Sequence, residues 1–145
     1  ITTLGVEAIP LLRFKTGDLV KAHYEACKCG RNTMRLGPVL GRKQQMIKYK
    51  GTTLYPPAMN DILNDFNNIL CYQIVIQSDE IGLDEIIIKV SAENNDENFV
   101  NELRDHFRAK LRVSPKIEVL DFEVLSKNVF NPTSRKPINF IDLRN

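Results

Sequence analysis

The stretch Gly41-Arg42-Lys43-Gln44-Gln45-Met46-Ile47-Lys48-Tyr49-Lys50-Gly51 decides how this chain is organised. A glycine stands at each end, where the backbone escapes the usual steric limits, and the Gln44-Gln45 amides between them offer no apolar face to bury. Ile47 and Tyr49 then alternate with Met46, Lys48 and Lys50, the pattern of a short strand. The stretch reads as a solvated joint, with the end of one structure before it and a complete small domain after it. The expected division is residues 1–40 and residues 41–145.

On the N-terminal side, Ile1 to Leu4 and Leu11 to Phe14 have strand character around a turn-rich link, and Thr16-Gly17-Asp18 makes a turn. Leu19 to Tyr24 reads as another strand. Cys27-Lys28-Cys29-Gly30 is a tight reversal, and Met34 to Leu40 leads into the joint with only Pro38 interrupting. This β-rich tail has too little apolar mass for a core of its own and should pack on something larger. The chain opens at Ile1, inside a strand-like run and without an initiator methionine, as a fragment or processed product would.

On the C-terminal side, Met46 to Tyr49 and Thr52 to Tyr55 form a strand pair around Gly51. Pro56-Pro57 suits a first helical turn, and Met59, Ile62, Leu63 and Phe66 then recur on one helical face. Ile69 to Ile76 and Glu85 to Val90 are β-branched runs joined by a reversal at Gly82. A second helix over Asn98 to Leu111 gathers Phe99, Leu103, Phe107 and Leu111 on one side. Ile117 to Val124 alternates as a strand, and Ile138 to Leu143 makes the last one. The expectation is an α+β domain with a ferredoxin-like order of strands and helices, its helices on one face of a sheet.

Composition narrows the function classes. With 20 Lys+Arg against 18 Asp+Glu, the net charge of +2 gives no electrostatic footprint for a nucleic acid or a membrane surface. No apolar run approaches the length of a membrane span. The three cysteines are odd in number and two are separated by one residue, which fits a reducing, cytoplasmic setting better than a disulfide framework.

Three places could carry chemistry. Asp18 follows a glycine at a strand end, where a carboxylate can stand clear of the backbone and accept hydrogen bonds from a vicinal diol; an ordinary Gly-Asp turn is the plainer alternative. Lys136 sits in the polar loop Pro132-Thr133-Ser134-Arg135-Lys136-Pro137 and could swing in to neutralise developing phosphate or carboxylate charge, although most loop lysines serve only solubility. His23, Cys27 and Cys29 offer three soft ligands, but a structural zinc wants four. Cys71 belongs to a core strand, and His106, beside Phe107 on the second helix, reads as a surface or packing residue rather than a base. There is no phosphate-cradling glycine loop and no Gly-x-Ser-x-Gly.

In order and spacing, ITTLGVEAIPLLRFKTGDL, CKCGR, the LGR that opens the joint, KGTTLYPP, and a lysine shortly before IDLR resemble the C-terminal portion of phenylacetate-coenzyme A ligases. These belong to the adenylate-forming superfamily. The resemblance implies a full-length enzyme that uses ATP with Mg2+ to convert a carboxylic acid to an acyl-adenylate, then transfers the acyl group to coenzyme A. Residues 1–40 would end a large adenylation domain, and residues 41–145 would be a mobile C-terminal domain. By position, Asp18 would bind the ribose hydroxyls and Arg42 would lie beside the nucleotide. Lys136 would bridge carboxylate and α-phosphate, Gly51 would line the coenzyme A approach, and Gln44 would be the hinge.

Three positions depart from the usual pattern. Gln44 replaces an acidic hinge residue, Asn60 a glutamate, and Arg135 the glycine before the lysine, which leaves Arg135 as a competing cation. Without a phosphate loop or acid pocket, the fragment alone should not catalyse. Two readings from other classes stay open here: a stand-alone regulatory module that binds a small effector, and an interaction domain stabilised by zinc on His23, Cys27 and Cys29.

Overall fold

The computed structural model describes residues 1–132 and 134–144; Thr133, in the polar loop before Lys136, lies outside the described residues. The chain divides into two compact units, Ile1–Gln44 and Gln45–Asn145.

In the first unit, β1 (Asp18–His23) pairs antiparallel with β2 (Arg35–Arg42), placing Asp18 opposite Arg42 and Leu19 opposite Gly41. Gly41 is buried within this ladder, so the glycine that opens the joint is a strand residue, held by pairing. The turn before β2 closes as the Gly30 N–H donates to the Cys27 carbonyl at 2.9 Å, with Gly30 at φ 82°. Gly37 lets β2 pass His23, since a Cβ there would lie 3.3 Å from the imidazole Nε2. The expected strands at Ile1–Leu4 and Leu11–Phe14 do not form. Thr3 donates to the Leu11 carbonyl and Phe14 to the Ile1 carbonyl, but Ile9 and Arg13 adopt positive φ and break the extended backbone. Leu4, Ile9 and Leu12 are all more than four-fifths exposed, so the unit has no apolar core around them.

The second unit begins with β3 (Ile47–Tyr49) and β4 (Thr52–Leu54), joined through Lys50 and Gly51 at φ 45° and 81°. Two consecutive positive φ values make the tight reversal whose twist matches that of paired strands. Helix α1 (Pro56–Asn64) follows with its two prolines in the first turn, where a missing N–H costs nothing. Pro56, Met59, Ile62 and Leu63 are buried, and Phe66 packs on the same cluster from beyond the helix end.

A four-stranded sheet in the order β7-β6-β5-β8 forms the centre. Its long antiparallel hairpin, β5 (Ile69–Ser78) and β6 (Asp84–Ala92), turns at Gly82, where the Asp79 carboxylate accepts from the Ile81 and Leu83 amides. The flanking strands β7 (Lys116–Val119) and β8 (Phe140–Asp142) run parallel to their neighbours. Helix α2 (Glu97–Leu111) is capped by Asp96, whose carboxylate accepts from the Phe99 amide at 2.8 Å. It buries Phe99, Leu103 and Phe107 with Ile74, Ile76, Ile86, Ile88 and the α1 stripe in one core.

One helix was not expected. The alternating run over Ile117–Val124 is a strand only to Val119, and Phe122–Val129 is a third helix, α3. Asp121 precedes it, Glu123 lies in its first turn, and Leu125 and Val129 repeat at helical spacing. These two side chains pack on Cys71, which points to the sheet face opposite the α1–α2 core, so helices cover both faces. The molecule is nonetheless the α+β, helix-on-sheet fold that the sequence implies. Among the described residues, no helix is long and apolar enough to cross a membrane.

Candidate nucleotide and coenzyme A sites

The β1–β2 register puts Asp18 and Arg42 side by side. Arg42 Nε lies 3.7 Å from Asp18 Oδ1, beyond hydrogen-bond length, which leaves the carboxylate oxygens open to other donors. The Asp18 amide donates to Thr16 Oγ1, and the Lys43 amide donates to the Gly17 carbonyl at 2.9 Å, so the turn before β1 is tied to the residue after β2. Gly17 adopts φ 77°, which a larger residue would resist. Beside this tie, Lys15, Thr16, Gly17, Arg42 and Gln44 line a pocket of about 260 Å³. The two cations at its wall, Lys15 and Arg42, suit a phosphorylated ligand, and the neighbouring Asp18 carboxylate, paired with Arg42, suits one that also carries hydroxyls. Gln44 is exposed in the 3-10 turn Lys43–Gln45, next to the division between the two units.

A second depression, of about 530 Å³, belongs to the second unit. Lys48, Tyr49, Lys50 and Gly51 form one wall, and Asp79, Leu83, Asp84 and Glu85 the other. Gly51 contributes bare backbone, with nothing within 4 Å of where a Cβ would stand. The Lys50 ammonium lies over the Tyr49 ring, 5.2 Å from its centre, and the Tyr49 hydroxyl donates to the Ser114 carbonyl.

Lys136 lies outside that lining, on an exposed loop whose base is firmly held. The Ile138 amide donates to the Val129 carbonyl at 2.8 Å, and buried Gln73 donates from Nε2 to the Ile138 carbonyl at 2.9 Å. Ser134 Oγ donates to the Lys136 carbonyl at 2.7 Å. Among the described residues the Lys136 ammonium makes no ion pair, and neighbouring Arg135 is equally exposed.

Sequence reasoning missed two side chains that hold these places. Gln73 could have been found as an amide inside an apolar strand run, because a buried polar group needs a partner. Arg144 gave no such signal. It donates to Asp142 at 2.6 Å, to Asp84 at 2.7 Å and to the Met46 carbonyl at 3.3 Å, and the two carboxylates, Asp142 first, hold its own pKa above the usual arginine value. Among the described residues, the helix residue Asn60 has no hydrogen-bond partner for its buried Oδ1.

The soft-ligand group separates. Cys27 and Cys29 meet at 3.2 Å, while His23 Nδ1 lies 3.8 Å from Glu25. Among the described residues no three His, Cys, Asp or Glu side chains are arranged to hold a metal ion. The Arg31 backbone N–H, followed by the Cys27 thiol, lowers the Cys29 pKa, whereas burial raises that of Cys71.

Residues 51–144 match the family described as AMP-binding enzyme C-terminal domain. The chain belongs to this family. The chain is 46% identical over 90 residues to the phenylacetate-coenzyme A ligase of Thermus thermophilus, a match over 61% of this chain and 20% of that ligase. It also resembles a crystal structure of 2-hydroxyisobutyryl-CoA ligase in the postadenylation state with 2-HIB-AMP. There the TM-score is 0.65 at 25% identity, over 92% of this chain and 29% of the ligase. A structure of the same ligase with 2-HIB-AMP and CoA, in the thioesterification state, gives a TM-score of 0.53 at 26% identity, over 94% of this chain and 29% of the ligase. The chain thus spans less than a third of the ligases it matches.

Proposed function

We propose that this chain is the C-terminal part of an ATP-dependent coenzyme A ligase for an aryl acid of the phenylacetate kind. In this reading residues 1–40 end the large adenylation domain and residues 41–145 form the mobile C-terminal domain of a cytoplasmic enzyme. The observation that carries it is the pairing of Asp18 with Arg42 beside a cation-walled pocket, because one group suits ribose hydroxyls and the other suits phosphate. The names of the relatives support the reaction class, since one is a phenylacetate-coenzyme A ligase and another, a 2-hydroxyisobutyryl-CoA ligase, was crystallised with 2-HIB-AMP and CoA.

In the first half-reaction an acid oxygen attacks the α-phosphorus of ATP and pyrophosphate leaves. Asp18 accepts hydrogen bonds from the ribose, Arg42 faces the nucleotide, and Lys136 neutralises charge shared between carboxylate and α-phosphate. In the second, the coenzyme A thiol attacks the acyl carbon and AMP leaves, with the thiol arm passing the bare backbone at Gly51. Gln44 is the hinge between the two states. Mg2+ would arrive with ATP. The described residues hold no three-ligand metal group, so no residue here is given that task.

The test is the intact protein assayed for acid-dependent ATP–pyrophosphate exchange with aryl acids, and for thioester formation from supplied acyl-adenylate. Lys136→Ala should lower exchange about 10²- to 10³-fold, the scale for one removed electrostatic stabiliser, and spare the thioester step. Residues 1–145 alone should show no exchange. Absence of exchange in the intact protein with every acid tried would overturn the reading, and a larger effect at Arg135 would shift the lysine's role by one residue.

A further inference from the structure

The loop between β1 and β2 carries a chemistry that ligase activity does not use. Cys27 and Cys29 lie two residues apart with their sulfurs at 3.2 Å, and neither is in a disulfide. Cys29 is exposed and Cys27 partly so, while Cys71 is buried under α3. A sharp turn sets this approach: the Gly30 amide donates to the Cys27 carbonyl, the Cys27 amide donates to the Arg31 carbonyl, and Gly30 takes the left-handed backbone that closes the loop. Bonded sulfurs stand about 2.05 Å apart, so joining these two requires the thiols to close by only about 1.2 Å. The neighbouring side chains leave the pair accessible. Glu25 is engaged with His23 and Arg35, the paired residues at the base of the loop, and Lys28 and Arg31 bring positive charge to the turn.

We propose that Cys27 and Cys29 form a modification site for low-molecular-weight disulfides, which convert the pair to an intramolecular disulfide. Cys29, the more exposed sulfur and the one that the Arg31 backbone N–H reaches, attacks first. Its thiolate displaces one thiolate from the small disulfide and forms a mixed disulfide. The Cys27 thiol then loses its proton to water and attacks the Cys29 sulfur, expelling the second small thiolate. In sum, two protein thiols and one small disulfide give one protein disulfide and two small thiols. Rates of such exchange follow thiolate character and access, which both favour Cys29 over Cys71. In a reducing compartment the site rests as the dithiol and reports only a rise in small disulfides.

The experiment uses the intact protein, equilibrated with reduced and oxidised glutathione at graded ratios, then alkylated and mapped by peptide mass. The expected result is a peptide lacking two hydrogens with a Cys27–Cys29 link, restored by dithiothreitol, while Cys71 stays alkylated throughout. Cys27→Ser should stop the sequence at glutathione on Cys29, and Cys29→Ser should slow the first attack at least tenfold. Three outcomes overturn the proposal: both thiols alkylated at every ratio, linkage of either cysteine to Cys71, or a pair protected by stoichiometric co-purified zinc. Wild-type mapping decides the matter even if a serine variant folds poorly.

Discussion

The guanidinium of Arg144 meets the carboxylate of Asp84 at 2.7 Å, joining the residues after β8 to the start of β6. The same arginine donates to the Met46 carbonyl at 3.3 Å, and Asp84 Oδ2 accepts the Lys48 amide at 3.1 Å, so this pair also fastens the beginning of β3. The two side chains are only 19% and 16% exposed, which limits screening by solvent. Asp84→Ala should therefore lower the unfolding free energy by about 2–3 kcal/mol, since it strands a partly buried cation and one amide. Chemical denaturation of the intact protein measures it. A loss no larger than that of Glu118→Ala, whose partner Lys116 is exposed, would reduce Asp84 to a surface charge.

The same arginine predicts an acid dependence. Hydrogen bonds from Arg144 hold the Asp142 pKa below the ordinary carboxylate value, so the unfolded chain takes up this proton first as pH falls. The stabilisation is complete above about pH 4, the unfolded aspartate range, and is lost as pH drops through the lower folded value. Arg144→Gln should flatten that part of the stability–pH curve. Parallel acid limbs for variant and wild type would remove Asp142 from the account.

The fold was legible where side-chain period and turn chemistry agreed. Met59, Ile62 and Leu63 announced α1, and Phe99, Leu103 and Phe107 announced α2. The failure at Val119 has a physical cause: Ile117 and Val119 alternate like a strand, and Leu120, Phe122 and Val124 resume an alternation one residue out of phase, which masks the break at the Asp121 that precedes α3. At the candidate nucleotide site, residues Asp18 and Arg42 could be named from the sequence, but their meeting depends on the β1–β2 register, which irregularities at Leu19–Val20 and Val20–Ala22 shift. The Arg144 network joins residues far apart in the chain and has no local pattern to betray it.

For Asp18 the expected outcome concerns nucleotide choice. A carboxylate that accepts the ribose hydroxyls is left unpaired when one hydroxyl is missing, so the wild type should favour ATP over 2′-deoxy-ATP. Asp18→Ala in the intact protein should weaken ATP and narrow that preference. Equal preference in wild type and variant, measured as kcat/KM ratios, would leave Asp18 as a turn residue only.

Gly51 separates backbone strain from access. Its φ of 81° penalises any side chain, yet nothing lies within 4 Å of an added Cβ, so Gly51→Ala should cost only about 1–2 kcal/mol of stability through the backbone. If the thiol arm of coenzyme A passes this point, the added methyl should raise the KM for coenzyme A while adenylation holds near wild type. Unchanged coenzyme A kinetics at the reduced stability would move the approach away from the β3–β4 turn.

Gln44 occupies the proposed hinge, and its surroundings define what proline would do there. It is exposed within the turn Lys43–Gln45, and the tie between Lys43 and Gly17 lies one residue earlier. A hinge needs a few positions whose φ and ψ can change widely, and a neutral amide side chain can bond to backbone donors or acceptors in either setting. Proline fixes φ near −65° and biases the preceding Lys43 toward extended backbone, so Gln44→Pro keeps one setting and disfavours the other. Single-turnover measurements on the intact protein should find adenylation largely preserved and thioester formation suppressed at least tenfold, with the unfolding midpoint within a few degrees of wild type. Near-normal rates in both steps would move the pivot to Lys43 or Gln45, and equal losses in both would mark a folding defect in place of a trapped hinge.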